Sequence, residues 1–156
     1  MNAEFIPALR FAALTPWYDR AVAWSTREAA MKARVVALAA LRPGERVLDL
    51  GCGTGTLLLA LAKAAPGAIL TGVDADPAIL ALAAAKTRAS GMEARLLPGW
   101  SHALPLPEAH FDVAVSTLFF HHLQPHAKHQ TVQELRRVLR PGTERPAPHA
   151  PHELIA

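Results

Sequence analysis

The segment Asp49-Leu50-Gly51-Cys52-Gly53-Thr54-Gly55 places one carboxylate two residues before a run of alternate glycines. Glycines so spaced leave no Cβ over a turn, and a ligand can lie directly against the backbone there. A helix leaving such a turn aims its free N–H groups and the positive end of its dipole at the same place. Two ligand classes compete for that geometry. The dinucleotide fingerprint is G-x-G-x-x-G, whereas the spacing here is G-x-G-x-G. A carboxylate at Asp49 repels a pyrophosphate and attracts an ammonium or sulfonium group. The residues therefore favour a cationic nucleotide-like ligand, with a glycine turn that binds nothing as the plain alternative.

A second carboxylate, Asp74, closes the apolar run Ala68 to Val73. An acid at the end of the second strand, some 20 residues beyond the glycine turn, is where α/β nucleotide sites hold ribose hydroxyls. A carboxylate can accept both hydrogen bonds of a vicinal diol. Asp74, with Ala75 beside it, is the candidate for that contact. Asp76 reads instead as a helix N-cap, with Pro77 in the first turn.

The full string Val47-Leu48-Asp49-Leu50-Gly51-Cys52-Gly53-Thr54-Gly55 closely resembles motif I of class I S-adenosylmethionine-dependent methyltransferases. The resemblance covers about Tyr18 to Gly142 and implies S-adenosyl-L-methionine as cofactor. Gly51, Cys52 and Gly53 would lie against it, with Asp49 orienting its amino-acid end. Trp17-Tyr18-Asp19 resembles the segment ahead of motif I in small-molecule methyltransferases, including those of ubiquinone and menaquinone biosynthesis. Tyr18 is thereby placed near the methyl donor, as a lid or as a hydrophobic cap on the core. Gly99-Trp100-Ser101-His102-Ala103-Leu104-Pro105 resembles the family's Gly-Asp-Ala-x-x-Leu-Pro segment, with Trp100 where the adenine-binding aspartate usually stands. Trp100 can stack on an adenine face or pack internally. Ser101 and Ser116 complete the expected cofactor contacts, Ser116 from the carboxyl end of the fourth strand.

Methyl transfer by direct displacement needs mainly alignment and exclusion of water. No residue is assigned as catalytic. His121 or His122 is the only base candidate near the expected site. Adjacent histidines on an extended segment point in opposite directions, which disfavours a shared metal. Ser116-Thr117-Leu118-Phe119 lacks the Asp/Asn-Pro-Pro-aromatic string of DNA amino-methyltransferases, so the acceptor is expected to be a small molecule.

These residues need elements to hold them. Ser25-Thr26-Arg27-Glu28 has capping-box spacing and predicts a helix to about Leu41. Its apolar face would be Ala29, Ala33, Val36, Ala37 and Ala40, with Arg27, Lys32 and Arg34 wet. Buried strands are predicted over 46–50, 68–73, 93–97 and 111–116. The apolar density of Leu57 to Leu61 and the segment from Pro77 to Ser90 predict the intervening helices. A last helix from Pro125 or His126 to about Leu139 would carry the stripe Val132, Leu135, Val138 and Leu139. Glu4 to Leu14 suggests one short helix more.

The expected fold is a Rossmann-like, doubly wound α/β domain with a parallel sheet of order 3-2-1-4 and right-handed crossovers. Residues 1–142 form the S-adenosylmethionine-binding domain, with N-terminal helices over 1–41 and an α/β core over 46–142. Residues 143–156 hold several closely spaced prolines and read as an irregular or disordered tail. The family pattern is thus truncated after the fourth strand and the following helix. That leaves the fourth strand as an unprotected edge, part of the last helix wet, and self-association through that edge expected.

The chain of 156 residues suits one domain, and its 51% hydrophobic content supplies a core. No uncharged apolar run is long enough to span a bilayer, and Met1 to Arg10 has no signal-peptide layout. A single cysteine forbids an intrachain disulfide, so a cytoplasmic setting is expected. The net charge of +3 comes from scattered residues and does not point to nucleic acid. The function expected is methyl transfer to an unidentified small molecule. The alternative is a non-catalytic cofactor-binding fragment or shortened paralogue.

Overall fold

The computed structural model describes residues 26–117, 119–120 and 123–142. Helix α1 spans Thr26–Ala39. Strand β1 (Arg46–Leu50), helix α2 (Thr56–Ala64), strand β2 (Ile69–Asp74) and helix α3 (Pro77–Ala89) follow. Strands β3 (Arg95–Pro98) and β4 (Val113–Val115) and helix α4 (Pro125–Val138) complete the order. The strands form one parallel sheet in the order β3-β2-β1-β4, as predicted. Asp49 lies opposite Gly72 of β2 and Val115 of β4.

Side-chain alternation along β1 splits the core into two layers. Val47 packs with Val35, Ala39, Leu57, Leu58, Leu61 and Leu80, so α1, α2 and α3 cover one face. Leu48 and Leu50 pack with Val73, Phe111, Leu135 and Val138, so α4 covers the other. None of the described helices is long and apolar enough to cross a membrane.

The helices depart from expectation in their faces rather than their existence. On α1, Ala29, Ala33, Ala37 and Ala40 are exposed, while Val35 and Ala39 are buried and Lys32 is half-buried. An alanine-rich helix has several nearly equivalent faces, so periodicity does not choose among them. The helix stops at Ala39 because Ala40 turns to φ +41°. On α4 the buried line is Thr131, Leu135 and Val138, with Val132 only half-buried. Leu135 and Val138 are not wet, since Leu48, Leu50, Leu104, Leu106 and Phe111 cover them.

Strand β4 is shorter than expected. Phe111 forms an isolated parallel bridge with Leu139 instead of joining the strand. The Asp112 side chain accepts the Arg46 backbone N–H at 2.8 Å, a bond that a backbone carbonyl makes in a regular ladder. The helix expected over Glu4 to Leu14 and the tail over 143–156 lie outside the described residues.

Candidate functional site

The glycine turn sits at the carboxyl ends of the strands, where an open parallel sheet binds ligands. Gly51, Gly53 and Gly55 have φ of +70°, +53° and +77°, a region costly for any residue with a Cβ. The three differ in what surrounds them. A Cβ on Gly51 would strike the Phe119 ring at 2.7 Å, and one on Gly55 would press on Ala83 of α3 at 3.3 Å. A Cβ on Gly53 would meet none of the described residues within 4 Å. Gly51 therefore admits Phe119, Gly55 admits a helix, and Gly53 is left open among the described residues.

Backbone and side-chain bonds fix the turn. Gly51 and Cys52 both donate their N–H to the Val73 carbonyl, at 2.8 and 3.0 Å. Gly53 donates its N–H to Asp74 Oδ2 at 2.9 Å, and Asp76 donates to Asp74 Oδ1 at 3.0 Å. Each Asp74 oxygen keeps a further lone pair for another donor. Half-buried Ala75 bridges Asp74 to Asp76. Asp76 caps α3 by accepting the Ala78 N–H at 2.8 Å, as read from the sequence. From α3, Lys86 donates to Thr54 Oγ1 at 2.9 Å and Thr56 Oγ1 at 3.3 Å, tying this helix to the turn.

Asp49 is buried at 1% exposure, and neither carboxylate oxygen finds a hydrogen-bond donor among the described residues. Such a group is costly unless something compensates it. Burial pushes its pKa up to about 7, against the opposing pull of Lys32, with Asp74 adding to the rise. An ammonium group would answer both deficits, supplying donors and charge.

The remaining candidates fall into distinct places. The Cys52 side chain points into the core against Gly72, and burial, with Asp49 and Asp74 nearby, pushes its thiol far up. Only its backbone is part of the turn's surface. Ser116 donates its hydroxyl to the Leu50 carbonyl at 2.8 Å, joining the ends of β4 and β1. Trp100 is 46% exposed, with its ring tilted against His102 at 6.0 Å. Ser101 is buried, its hydroxyl 2.8 Å from that of Thr131 on α4. Tyr18, Trp17, His121 and His122 lie outside the described residues.

Gly99, matched to the family segment in the sequence, is required because a Cβ there would strike Pro105 at 2.7 Å, which explains the Gly-to-Pro pairing. The sequence reading missed other residues that shape this region. Glu134 accepts the Leu104 N–H at 2.7 Å, and Arg137 donates to the Leu106 and Leu104 carbonyls. Arg137 is thus a tether, for which the sequence carries no signal beyond its Glu134 partner three residues earlier. Phe119 over Gly51 was likewise not singled out, and Lys32, expected to be wet, has a side chain only 16% exposed and acts electrostatically on Asp49.

Two carboxylates, Asp49 and Asp74, flank the glycine turn and make its surroundings acidic. They disfavour pyrophosphate and fit an amino-acid-bearing nucleoside with a free ammonium. Comparison with known proteins agrees. Residues 47–142 match the family model described as a methyltransferase domain. Over 109 residues the chain is 41% identical to a demethylmenaquinone methyltransferase of Thermus thermophilus, covering 70% of this chain and 49% of that protein. It is 36% identical over 132 residues to a 2-phytyl-1,4-naphtoquinone methyltransferase of Synechococcus elongatus, covering 81% and 48%. A solved SAM-dependent methyltransferase from Aquifex aeolicus superposes with a TM-score of 0.63 at 26% identity, covering 70% of this chain and 58% of that one. The chain spans about half the length of these curated relatives.

Proposed function

We propose that this chain, which belongs to the class I S-adenosylmethionine-dependent methyltransferases, takes part in methyl transfer to a small-molecule acceptor. Its cofactor is S-adenosyl-L-methionine. The reading rests above all on Asp49, a buried carboxylate without a hydrogen-bond donor beneath an open glycine turn. A cofactor held there would supply an electrophilic methyl group for direct displacement by an acceptor nucleophile.

The chain's own residues bind and orient. Gly53 leaves room for the ligand, and Asp49 receives the ammonium of its amino-acid end. Asp74 accepts the ribose hydroxyls through its spare lone pairs while holding the turn with the others. Trp100, 46% exposed and next to Gly99, whose N–H donates to the Asp74 carbonyl at 3.0 Å, offers a flat apolar face to the adenine. The names of the two curated relatives motivate testing naphthoquinol-type acceptors first.

Calorimetry with S-adenosylmethionine, S-adenosylhomocysteine and NAD tests the site. Binding of the first two and not the third is expected. Preferential NAD binding would overturn the reading. Methyl release in the presence of quinol acceptors then separates an enzyme from a module that only holds the cofactor.

A further inference from the structure

We propose that Lys32 of α1 is a positioning residue for the cofactor site, its ammonium serving as the counter-charge that keeps the Asp49 carboxylate ionised and ready for a cationic ligand. This rests on the reading above that Asp49 receives the ligand's ammonium.

The two residues share one face of the fold. On β1, Val47 and Asp49 alternate onto the side covered by α1, whereas Leu48 and Leu50 face α4. On α1, Lys32, Val35 and Ala39 recur at i, i+3 and i+7 and so line one stripe. Val35 and Ala39 pack in the same cluster as Val47. Ala39 is the last residue of a helix that leads directly into β1. Lys32 lies about 10 Å back along the helix from Ala39, and Asp49 about 10 Å along the strand from Arg46. Both therefore stand at the upper end of the layer, one turn above Val35 and one pleat above Val47.

Burial supports the pairing. The Lys32 side chain is only 16% exposed, unusual for a lysine on an alanine-rich helix, and it also contacts Glu28 one turn earlier. Among the described residues, the charged or titratable groups around Asp49 are Lys32 with its partner Glu28 from α1, Asp74 from β2 and the Cys52 thiol from the turn. β4 brings Val115 opposite it, without charge. Among these, Lys32 alone is positive, and it acts against the burial and the Asp74 repulsion that favour the neutral acid.

The functional consequence concerns pH. A protonated Asp49 offers no charge to an ammonium ligand. Affinity should therefore rise as pH increases through the Asp49 titration and level off above it. Removing Lys32 lets the carboxyl hold its proton to higher pH and moves that rise upward.

The test is calorimetric titration with S-adenosylhomocysteine from pH 5.5 to 8.5, a probe that carries the ammonium but no sulfonium. For Lys32→Met the midpoint is expected to rise by about one pH unit, giving up to about tenfold weaker binding below the shifted midpoint. At high pH its affinity should equal or exceed wild type, since a repelling charge is gone. Lys32→Gln, which keeps a polar head on the stem, should shift likewise, and Lys32→Arg should restore the wild-type profile. Asp49→Asn should bind weakly with no such pH dependence. A uniform loss for Lys32→Met and Lys32→Gln at every pH would show a merely structural role and overturn the proposal. So would an unmoved midpoint alongside a flat Asp49→Asn profile. Unchanged affinity and profile in Asp49→Asn would instead overturn the underlying assignment of Asp49.

Discussion

Asp74 accepts the Gly53 N–H at 2.9 Å, joining two residues 21 positions apart and making the second strand the anchor of the first turn. The carboxylate expected to hold a ribose is also a structural part of the loop that faces the ligand. Contact and scaffold are one group here.

Asp74→Ala is therefore expected to act twice. It deletes the anchors of the Gly53 and Asp76 amides and removes the candidate diol acceptor. Cofactor affinity should fall by roughly 1–3 kcal/mol, with some loss of stability. Asp74→Asn keeps one acceptor oxygen and should fall between. Calorimetry and thermal melts on both variants check this, and unchanged affinity in Asp74→Ala would remove Asp74 from the site.

Gly53→Val and Gly55→Val separate binding from folding. Both positions have φ near the left-handed region, so each variant carries backbone strain of order 1–3 kcal/mol. At Gly53 the added side chain enters open space and should abolish cofactor binding while the fold survives. At Gly55 it meets Ala83 on α3 and should lower the melting temperature further. Melting curves with and without S-adenosylhomocysteine distinguish the two.

The buried Asp49 carboxyl makes cofactor-free stability depend on pH. Its folded pKa of about 7 exceeds the ordinary 3.8, so the folded state holds the proton more tightly than the unfolded chain. The Asp49 contribution is therefore most favourable below about pH 4 and declines as pH rises to about 7. The full span is on the order of 4 kcal/mol at most. Asp49→Asn should flatten the decline in melting temperature across that window. Equal slopes for variant and wild type would show that Asp49 does not titrate there.

Strand β4 is the outer strand of the described sheet, and Val113-Ala114-Val115 bears no charge or proline to deter pairing. Self-association through this edge is expected in the isolated chain. Sedimentation should show mass rising with concentration, and Ala114→Pro should suppress the rise if the fold tolerates it. A constant monomeric mass would sink this expectation.

The sheet was legible because its signals are local. A buried run closed by glycines marks β1, and the Asp76-Pro77 cap fixes where α3 starts. Motif I likewise marked the turn, since its three glycines take the left-handed φ that such a turn requires. The helix faces were not legible. Alanines are spread over every face of α1, and the choice between Val36 and Val35 as the inward position is made by Val47 across the layer. Thr131 reads as polar, and only the distant Ser101 hydroxyl reveals why it is buried. Lys32 was expected to be wet for the same reason, its surroundings being set by a strand that follows it in sequence.

The segment from Gly99 to Leu106 shows what long-range bonds do to motion. Glu134, Arg137 and Thr131 all hold it from α4. Opening this segment as a flap would break several of those bonds together, a local unfolding event rather than a rapid fluctuation. The backbone on this side of the glycine turn is therefore a stiff frame, and a ligand reaching it meets fixed main chain, with the half-exposed Trp100 indole tilted against His102 at its start.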